Sequence, residues 1–130
     1  ALTPQCDYHT QSQIETIREI QKYMVGHLDE RLTVRSLSQQ FRISGTALKS
    51  CFRQVYGVPV HQYLLEQRMA RAAELLTTTT QSVLQISTVV GYSSVSQCGI
   101  ALKRRYHMPP AQFRRNANKN PFTTVPDQNR

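Results

Sequence analysis

RISGTALKSCFRQVYGVP, the stretch from Arg42 to Pro59, divides its residues between an apolar side and a polar side at helical spacing. The stretch carries three positive charges and no negative charge. Its apolar side consists of Leu48, Cys51, Phe52 and Val55. Its polar side consists of Thr46, Lys49, Ser50 and Arg53. This pattern predicts a short helix that packs its apolar back on the protein and exposes a basic front.

Local signals set the ends of this helix. Ser44 is a favourable N-cap because its hydroxyl can accept a hydrogen bond from a backbone N–H of the first turn. Gly57 favours a C-terminal stop because glycine adopts the left-handed conformation without strain. The predicted helix therefore spans about residues 45–56, and Pro59 marks where the next helix begins.

The rest of the chain also favours helices, and no stretch alternates as a strand would. Thr33 and Ser82 are expected N-caps of two short helices, and Gly91 ends the second of them. The run Thr77–Thr80 has low helix propensity and is expected to end the long helix before it. The apolar side of that long helix is expected to be Leu65, Met69, Ala72 and Leu76. The predicted helices are about 13–28, a short one after Thr33, 45–56, 60–76, a short one after Ser82, 95–106 and 110–116.

A second copy of the opening pattern follows fifty residues later. Matching residues stand at the caps, turns and aromatic positions: Ser44 with Ser94, Phe52 with Leu102, Arg53 with Lys103, Tyr56 with Tyr106, Pro59 with Pro109, and Tyr63 with Phe113. The repeated unit is a short helix, a tight turn and a second helix with a basic C-terminal half, which is the helix-turn-helix pattern. The sequence therefore predicts an all-α fold of about seven helices, with two helix-turn-helix units joined by a long helix.

The predicted organisation has five segments. They are a flexible N-terminal segment (1–11), the first unit (12–58), the linker helix (59–77), the second unit (78–116) and a flexible tail (117–130). The chain opens with Ala1 instead of an initiator methionine, so we expect it to be a piece of a longer protein.

The charge distribution indicates an anionic partner. The net charge is +8 and the pI is near 9.9. No acidic residue occurs from Arg31 to Val60 or from Leu75 to Pro126, although both segments are basic. A surface that is merely solvated would normally mix both signs. The partner indicated by charge is thus nucleic acid or a membrane surface. No apolar run reaches the roughly 20 residues of a membrane span.

An α-helix fits the major groove of B-DNA, and the shorter first helix of each unit braces it against the backbone. The two recognition helices, about 45–56 and 95–106, are expected to enter successive major grooves about 34 Å apart. The expected base-facing residues are Thr46, Lys49, Ser50, Arg53, Val95, Ser96 and Ile100. The expected phosphate contacts are Arg35, Arg42, Lys103, Arg104 and Arg114, because most protein–DNA hydrogen bonds go to the backbone.

From about Gln13 to Asn116 the chain resembles the AraC/XylS family of transcription regulators. The first unit carries the resemblance in SLSQQFRISGTALKSCFRQVYGVPVHQYLLEQRMARAAELL, and the second in ISTVVGYSSVSQ and MPPAQFRR. The resemblance implies the C-terminal DNA-binding domain of a bacterial, cytoplasmic regulator that binds a double-stranded operator. It also implies a separate effector or dimerisation domain, expected to be absent from this chain, and RNA polymerase as a potential further partner.

The second unit departs from that pattern. Its exposed face is expected to carry Val95, Ser96, Gly99 and Ile100, which offer few hydrogen-bonding groups. Val95 or Ile100 could contact a thymine methyl group. The unit could otherwise contribute phosphate contacts alone, so the sequence leaves open whether it distinguishes bases.

Other classes of protein find less support. No catalytic constellation, cofactor motif or metal-ligand cluster is present, so we predict a protein that is not an enzyme and needs no cofactor or metal. Cys6 and His9 form an isolated C-x-x-H pair that is not expected to bind metal. Cys51 and Cys98 are expected in the core. Two alternatives stay open: a helical module that docks on an acidic protein, and an enzyme that repairs DNA through a reactive cysteine.

Overall fold

The computed structural model describes residues 10–119, which form seven α-helices and no β-strand. The helices are α1 (Gln11–Gly26), α2 (Val34–Phe41), α3 (Gly45–Tyr56), α4 (Val60–Thr78), α5 (Val83–Val89), α6 (Val95–Tyr106) and α7 (Pro110–Lys119). The prediction of an all-α fold with two helix-turn-helix units is therefore confirmed. No helix within these residues is both long and apolar enough to cross a bilayer.

Side-chain caps explain where the helices begin. In five of them a serine or threonine hydroxyl accepts a hydrogen bond from the backbone N–H three residues later. These residues are Thr10, Thr33, Ser44, Ser82 and Ser94. The helices predicted at 45–56 and 95–106 have the bounds that the sequence indicated.

Three other predicted helix bounds were wrong. Helix α1 runs over 11–26 instead of 13–28 because Thr10 supplies an earlier cap. Helix α4 continues through Thr78 because threonine hydroxyls donate back to carbonyls in the preceding turn, as in the 2.7 Å bond from Thr78 Oγ1 to the Glu74 oxygen. Helix α7 reaches Lys119, so residues 117–119 are helical and not part of a flexible tail.

Parts of the predicted flexible segments lie outside the described residues. These parts are residues 1–9, which include the Cys6–His9 pair, and residues 120–130.

The first compact unit ends at Gln67 and contains α1, α2, α3 and the beginning of α4. Helix α1 packs on both α2 and α3. The core consists of Ile17, Ile20, Met24, Leu28, Leu37, Leu48, Cys51, Phe52, Val60 and Leu64. In α4 the buried residue is Leu64 and not the predicted Leu65, which is half-buried, because Leu64 follows Val60 by four residues on the same face.

The second compact unit begins at Arg68 and contains the rest of α4 with α5, α6 and α7. Helix α6 packs on both α5 and α7. The core consists of Met69, Ala72, Leu75, Leu76, Ile86, Val90, Cys98 and Leu102. The sequence set residues 59–77 apart as a linker, whereas the contacts divide α4 between the two units.

Aromatic pairs at matching positions support the internal repeat. In the first unit the rings of Tyr56 and Tyr63 lie 5.4 Å apart between centroids. In the second unit the rings of Tyr106 and Phe113 lie 5.0 Å apart. Each pair joins the end of the basic helix to the start of the helix that follows, so Tyr63 and Phe113 are packing aromatics.

Candidate nucleic-acid interface

Helix α3 presents one polar face to solvent. Leu48, Cys51 and Phe52 are fully buried, which fixes the rotation of the helix on the first unit. The predicted residues Thr46, Lys49 and Arg53 are consequently exposed, and Ser50 beside them is half-buried. The structure thus brings all four predicted base-facing residues of the first unit onto one face of one helix.

A cavity of about 330 Å³ lies between this face and the start of α4. Lys49, Ser50 and Arg53 line one side of it. Pro59, Val60 and His61 line the other, with Val34 of α2. No acidic residue is among those that line the cavity.

His61, which also lines the cavity, was not predicted from the sequence. Its position could have been predicted from the short connection between α3 and α4. Helix α4 begins only four residues after α3 ends, so the first turn of α4 has to lie near the C-terminal half of α3. The exposed His61 therefore joins Lys49 and Arg53 around one cavity.

Arg35 and Arg42 lie at the two ends of α2. Arg35 is exposed in the first turn, and Arg42 is exposed in the turn that leads into α3. Arg42 adopts the left-handed conformation with φ 57°, and its backbone N–H donates to the Ser38 carbonyl. Both cations thus lie on the N-terminal side of α3 in the chain, and the predicted phosphate contacts stay predictions.

Helix α6 is oriented in the same way on the second unit. Cys98 and Leu102 are buried, so Val95, Ser96 and Ile100 are exposed, as the exposed-face prediction requires. The last turn carries the exposed cations Lys103, Arg104 and Arg105. Cations in this position also interact favourably with the negative end of the helix dipole.

Gly99 does not belong to the exposed front, contrary to the sequence prediction. It is half-buried, and a Cβ built on it would lie 3.8 Å from the Cδ atom of Pro110. The start of α7 therefore covers this edge of α6. The front of α6 that faces solvent is narrower than the sequence indicated.

Arg114 has an intramolecular role that the sequence did not indicate. Its Nε donates to the Leu76 carbonyl at 3.0 Å, and its Nη2 donates to the Thr79 carbonyl at 3.2 Å. These carbonyls lie at the C-terminal end of α4, where the helix leaves acceptors unsatisfied. Two of its three guanidinium nitrogens are engaged within the protein, and the predicted phosphate contact stays untested.

Arg68 contributes to the packing of the second unit. Its guanidinium lies 5.7 Å from the centroid of the Tyr92 ring. Burial lowers the pKa of the Arg68 guanidinium and raises the pKa of the Tyr92 phenol. These shifts belong to the packing of α4 against the turn before α6, and neither group lies on the exposed front of α6.

The cysteines of the described residues do not fit the reactive-cysteine hypothesis. Cys51 and Cys98 are not joined in a disulfide, and both are fully buried, as predicted. A nucleophilic thiolate needs access to its substrate and an electropositive setting that lowers its pKa. These two thiols serve as small apolar residues of the two cores.

Comparison with known proteins places the chain in a family. A family model described as a helix-turn-helix domain matches residues 37–116. The transcriptional activator AarP of Providencia stuartii is 28% identical over 106 residues, which cover 82% of this chain and 78% of AarP. LumQ of Photobacterium leiognathi, a probable transcriptional regulator, is 28% identical over 94 residues, which cover 72% of this chain and 38% of LumQ.

Solved structures agree. The DNA-binding domain of AdpA, solved in complex with a target DNA, matches with a TM-score of 0.76 and 25% identity over 82% of this chain and 97% of that one. A transcriptional regulator with an AraC-type DNA-binding domain from Chromobacterium violaceum shares the fold, with a TM-score of 0.72 and 22% identity over 89% of this chain and 100% of that one. The family model covers α3 to α6 and most of α2 and α7, and the chain belongs to the AraC-type helix-turn-helix family.

Proposed function

We propose that this chain binds double-stranded DNA sequence-specifically, as the DNA-binding domain of a bacterial transcription regulator. The front of α3 carries the proposal: Thr46, Lys49 and Arg53 are exposed together, and no acidic residue occurs between Arg31 and Val60. The similarity to the AdpA domain, which was solved on a target DNA, supports the same class of ligand.

Each side chain of this front has a chemical role in the proposal. Lys49 and Arg53 donate hydrogen bonds to acceptors on base edges, and guanine O6 and N7 are the acceptors that suit Arg best. The hydroxyls of Thr46 and Ser50 can donate or accept, so they suit several bases. Arg35 and Arg42, at the two ends of α2, contact phosphates and fix the position of α3 in the groove.

The second unit is proposed to occupy the next major groove on the same face of the duplex. Val95, Ser96 and Ile100 face the bases, and Lys103 and Arg104 contact phosphates. A separation of about 34 Å between α3 and α6 would match one turn of B-DNA. This arrangement remains a proposal, which a footprint can test.

The proposed activity is binding without catalysis, in the bacterial cytoplasm. RNA polymerase is proposed as a second partner of the regulator. Because the chain spans only 38% of the length of LumQ, the activity of a whole regulator is a further proposal, in which a separate domain binds an effector or dimerises.

A comparison of two arginine variants tests the proposal. Arg53→Ala should weaken binding to a selected duplex by about 10- to 100-fold because it removes a base contact. The log affinity of the original chain should fall steeply as log salt rises, because its other cations contact phosphates. Arg71→Ala is the matched control. Arg71 is also exposed, but it pairs with Glu74 at 2.8 Å on the mixed-charge part of α4. Its variant should bind within about twofold of the original chain.

Fluorescence anisotropy over a salt series measures both quantities. Binding that does not change with salt would contradict the proposal, and so would equal losses in the two variants. A preference for an acidic protein over duplex DNA would support the alternative of a protein-docking module.

A further inference from the structure

The middle of the α6 front is apolar, which is unusual for an exposed helix face. Ile100 stands two residues after Cys98 and two before Leu102, so it points about 200° around the helix from each. Since both neighbours are buried in the core, Ile100 has to face solvent, and it is 56% exposed. Val95, five residues earlier and about 140° around the helix, is 39% exposed.

The first unit shows what this surface lacks. Fifty residues earlier, the positions of Ser96, Gly99, Ile100 and Lys103 are occupied by Thr46, Lys49, Ser50 and Arg53. The second unit therefore keeps the small hydroxyl, as Ser96, and the cation, as Lys103. It has Ile100 in place of Ser50. In place of Lys49 it has Gly99, which packs near Pro110. The side chain of Ile100, at the centre of the front, cannot hydrogen-bond to base edges.

The chemistry of the major groove restricts what an exposed isoleucine can contact there. In unmodified DNA the thymine C5-methyl group is the apolar group on the base edges of this groove. Contact between that methyl group and Ile100 removes apolar surface of both partners from water. A guanine or adenine edge would instead lose water from its hydrogen-bonding groups without compensation.

Charge favours DNA over an apolar protein surface as the occupant of this face. Lys103, Arg104 and Arg105 occupy the last turn of the same helix and are all exposed. No acidic residue occurs from Leu75 to Pro126. Duplex DNA is a polyanion that also presents methyl groups, so it complements both the cations and the apolar side chains of this face.

We propose that the second unit recognises a thymine methyl group through Ile100, while its cations contact phosphates. The inference rests on the proposed function and adds the base class that α6 recognises. The second half of the binding site should therefore be rich in A·T pairs, with thymine methyl groups facing α6.

Replacement of thymine by deoxyuridine tests this inference. Deoxyuridine lacks only the C5-methyl group and keeps every hydrogen-bonding group of thymine. A duplex selected from a random pool would carry deoxyuridine at each thymine of the second half-site, singly and together. Each methyl group that α6 contacts should cost roughly two- to fourfold in affinity when it is removed.

Two protein variants assign the effect to a residue. Ile100→Ser introduces the residue type that the first unit has at Ser50, and it should bind the thymine and deoxyuridine duplexes about equally. Leu84→Ser is the matched control, because Leu84 is 59% exposed but lies on α5. This variant should keep the full difference between the two duplexes. Circular dichroism would establish that both variants remain helical.

The outcomes separate this inference from the proposed function. Affinity that is insensitive to deoxyuridine, or a second half-site without thymine, would overturn the inference while salt-dependent, sequence-specific binding leaves the proposed function intact. A deoxyuridine effect that persists in Ile100→Ser would also overturn it, because another residue would then contact the methyl group. Loss of all sequence preference would overturn both.

Discussion

Gly57 and His107 occupy the same position in the two repeats and adopt the same backbone conformation. Their φ angles are 82° and 67°, both in the left-handed region. In each case the backbone N–H donates at 2.8 Å to a carbonyl four residues earlier, at Arg53 and at Lys103. The turn after each basic helix thus requires a left-handed residue, and only the first unit has a glycine there.

This difference predicts opposite effects of substitution. His107→Gly should raise the free energy of unfolding by about 1 kcal/mol, because glycine relieves the left-handed strain and the histidine is exposed. Gly57→Ala should lower it by a similar amount, even though nothing lies within 4 Å of the added Cβ. Urea denaturation of both variants measures these changes. If both variants changed the free energy of unfolding in the same direction, the two turns would not share a requirement for a left-handed residue.

At the scale of the helix, the C-terminal end of α4 depends on a side chain from α7. Leu76 and Thr79 offer their carbonyl oxygens there, and Arg114 donates to both. Thr79 also bonds back to the Leu75 carbonyl through its hydroxyl, at 2.7 Å. This end of α4 is therefore stabilised by contacts that are local and by one that is distant in sequence.

Arg114→Ala should accordingly lower the free energy of unfolding by about 1–3 kcal/mol, because it leaves the two carbonyls without their donor. Arg115→Ala is the control, since Arg115 is exposed on the same helix and its loss should change stability by less than about 0.5 kcal/mol. Thermal or urea denaturation compares the two. Equal stability of both variants would show that the Arg114 contacts contribute nothing to the fold.

These elements show which features the sequence could predict. The bounds of α3 and α6 were predictable because Ser44, Ser94 and Gly57 act on backbone groups within one turn. The role of Arg114 was not predictable, because its acceptors lie 35 and 38 residues away in the chain. The prediction that Gly99 lies on the exposed face of α6 was wrong for a related reason, since only tertiary packing brings Pro110 beside it.

At the scale of the whole molecule, the sequence indicated one partner for two units. The repeat, the buried backs of α3 and α6 and the absence of acids from both basic segments all favour duplex DNA. The residues that would distinguish bases differ between the units, with hydroxyls and cations in the first and apolar side chains in the middle of the second. The two halves of the binding site should therefore differ in base composition.

Hydroxyl-radical footprinting on a duplex selected from a random pool tests the central claim most directly. If α3 and α6 enter neighbouring major grooves, the chain should protect two segments on one face of the duplex, with centres about 10–10.5 base pairs apart. One protected segment the size of a single half-site, or two segments on opposite faces, would contradict it.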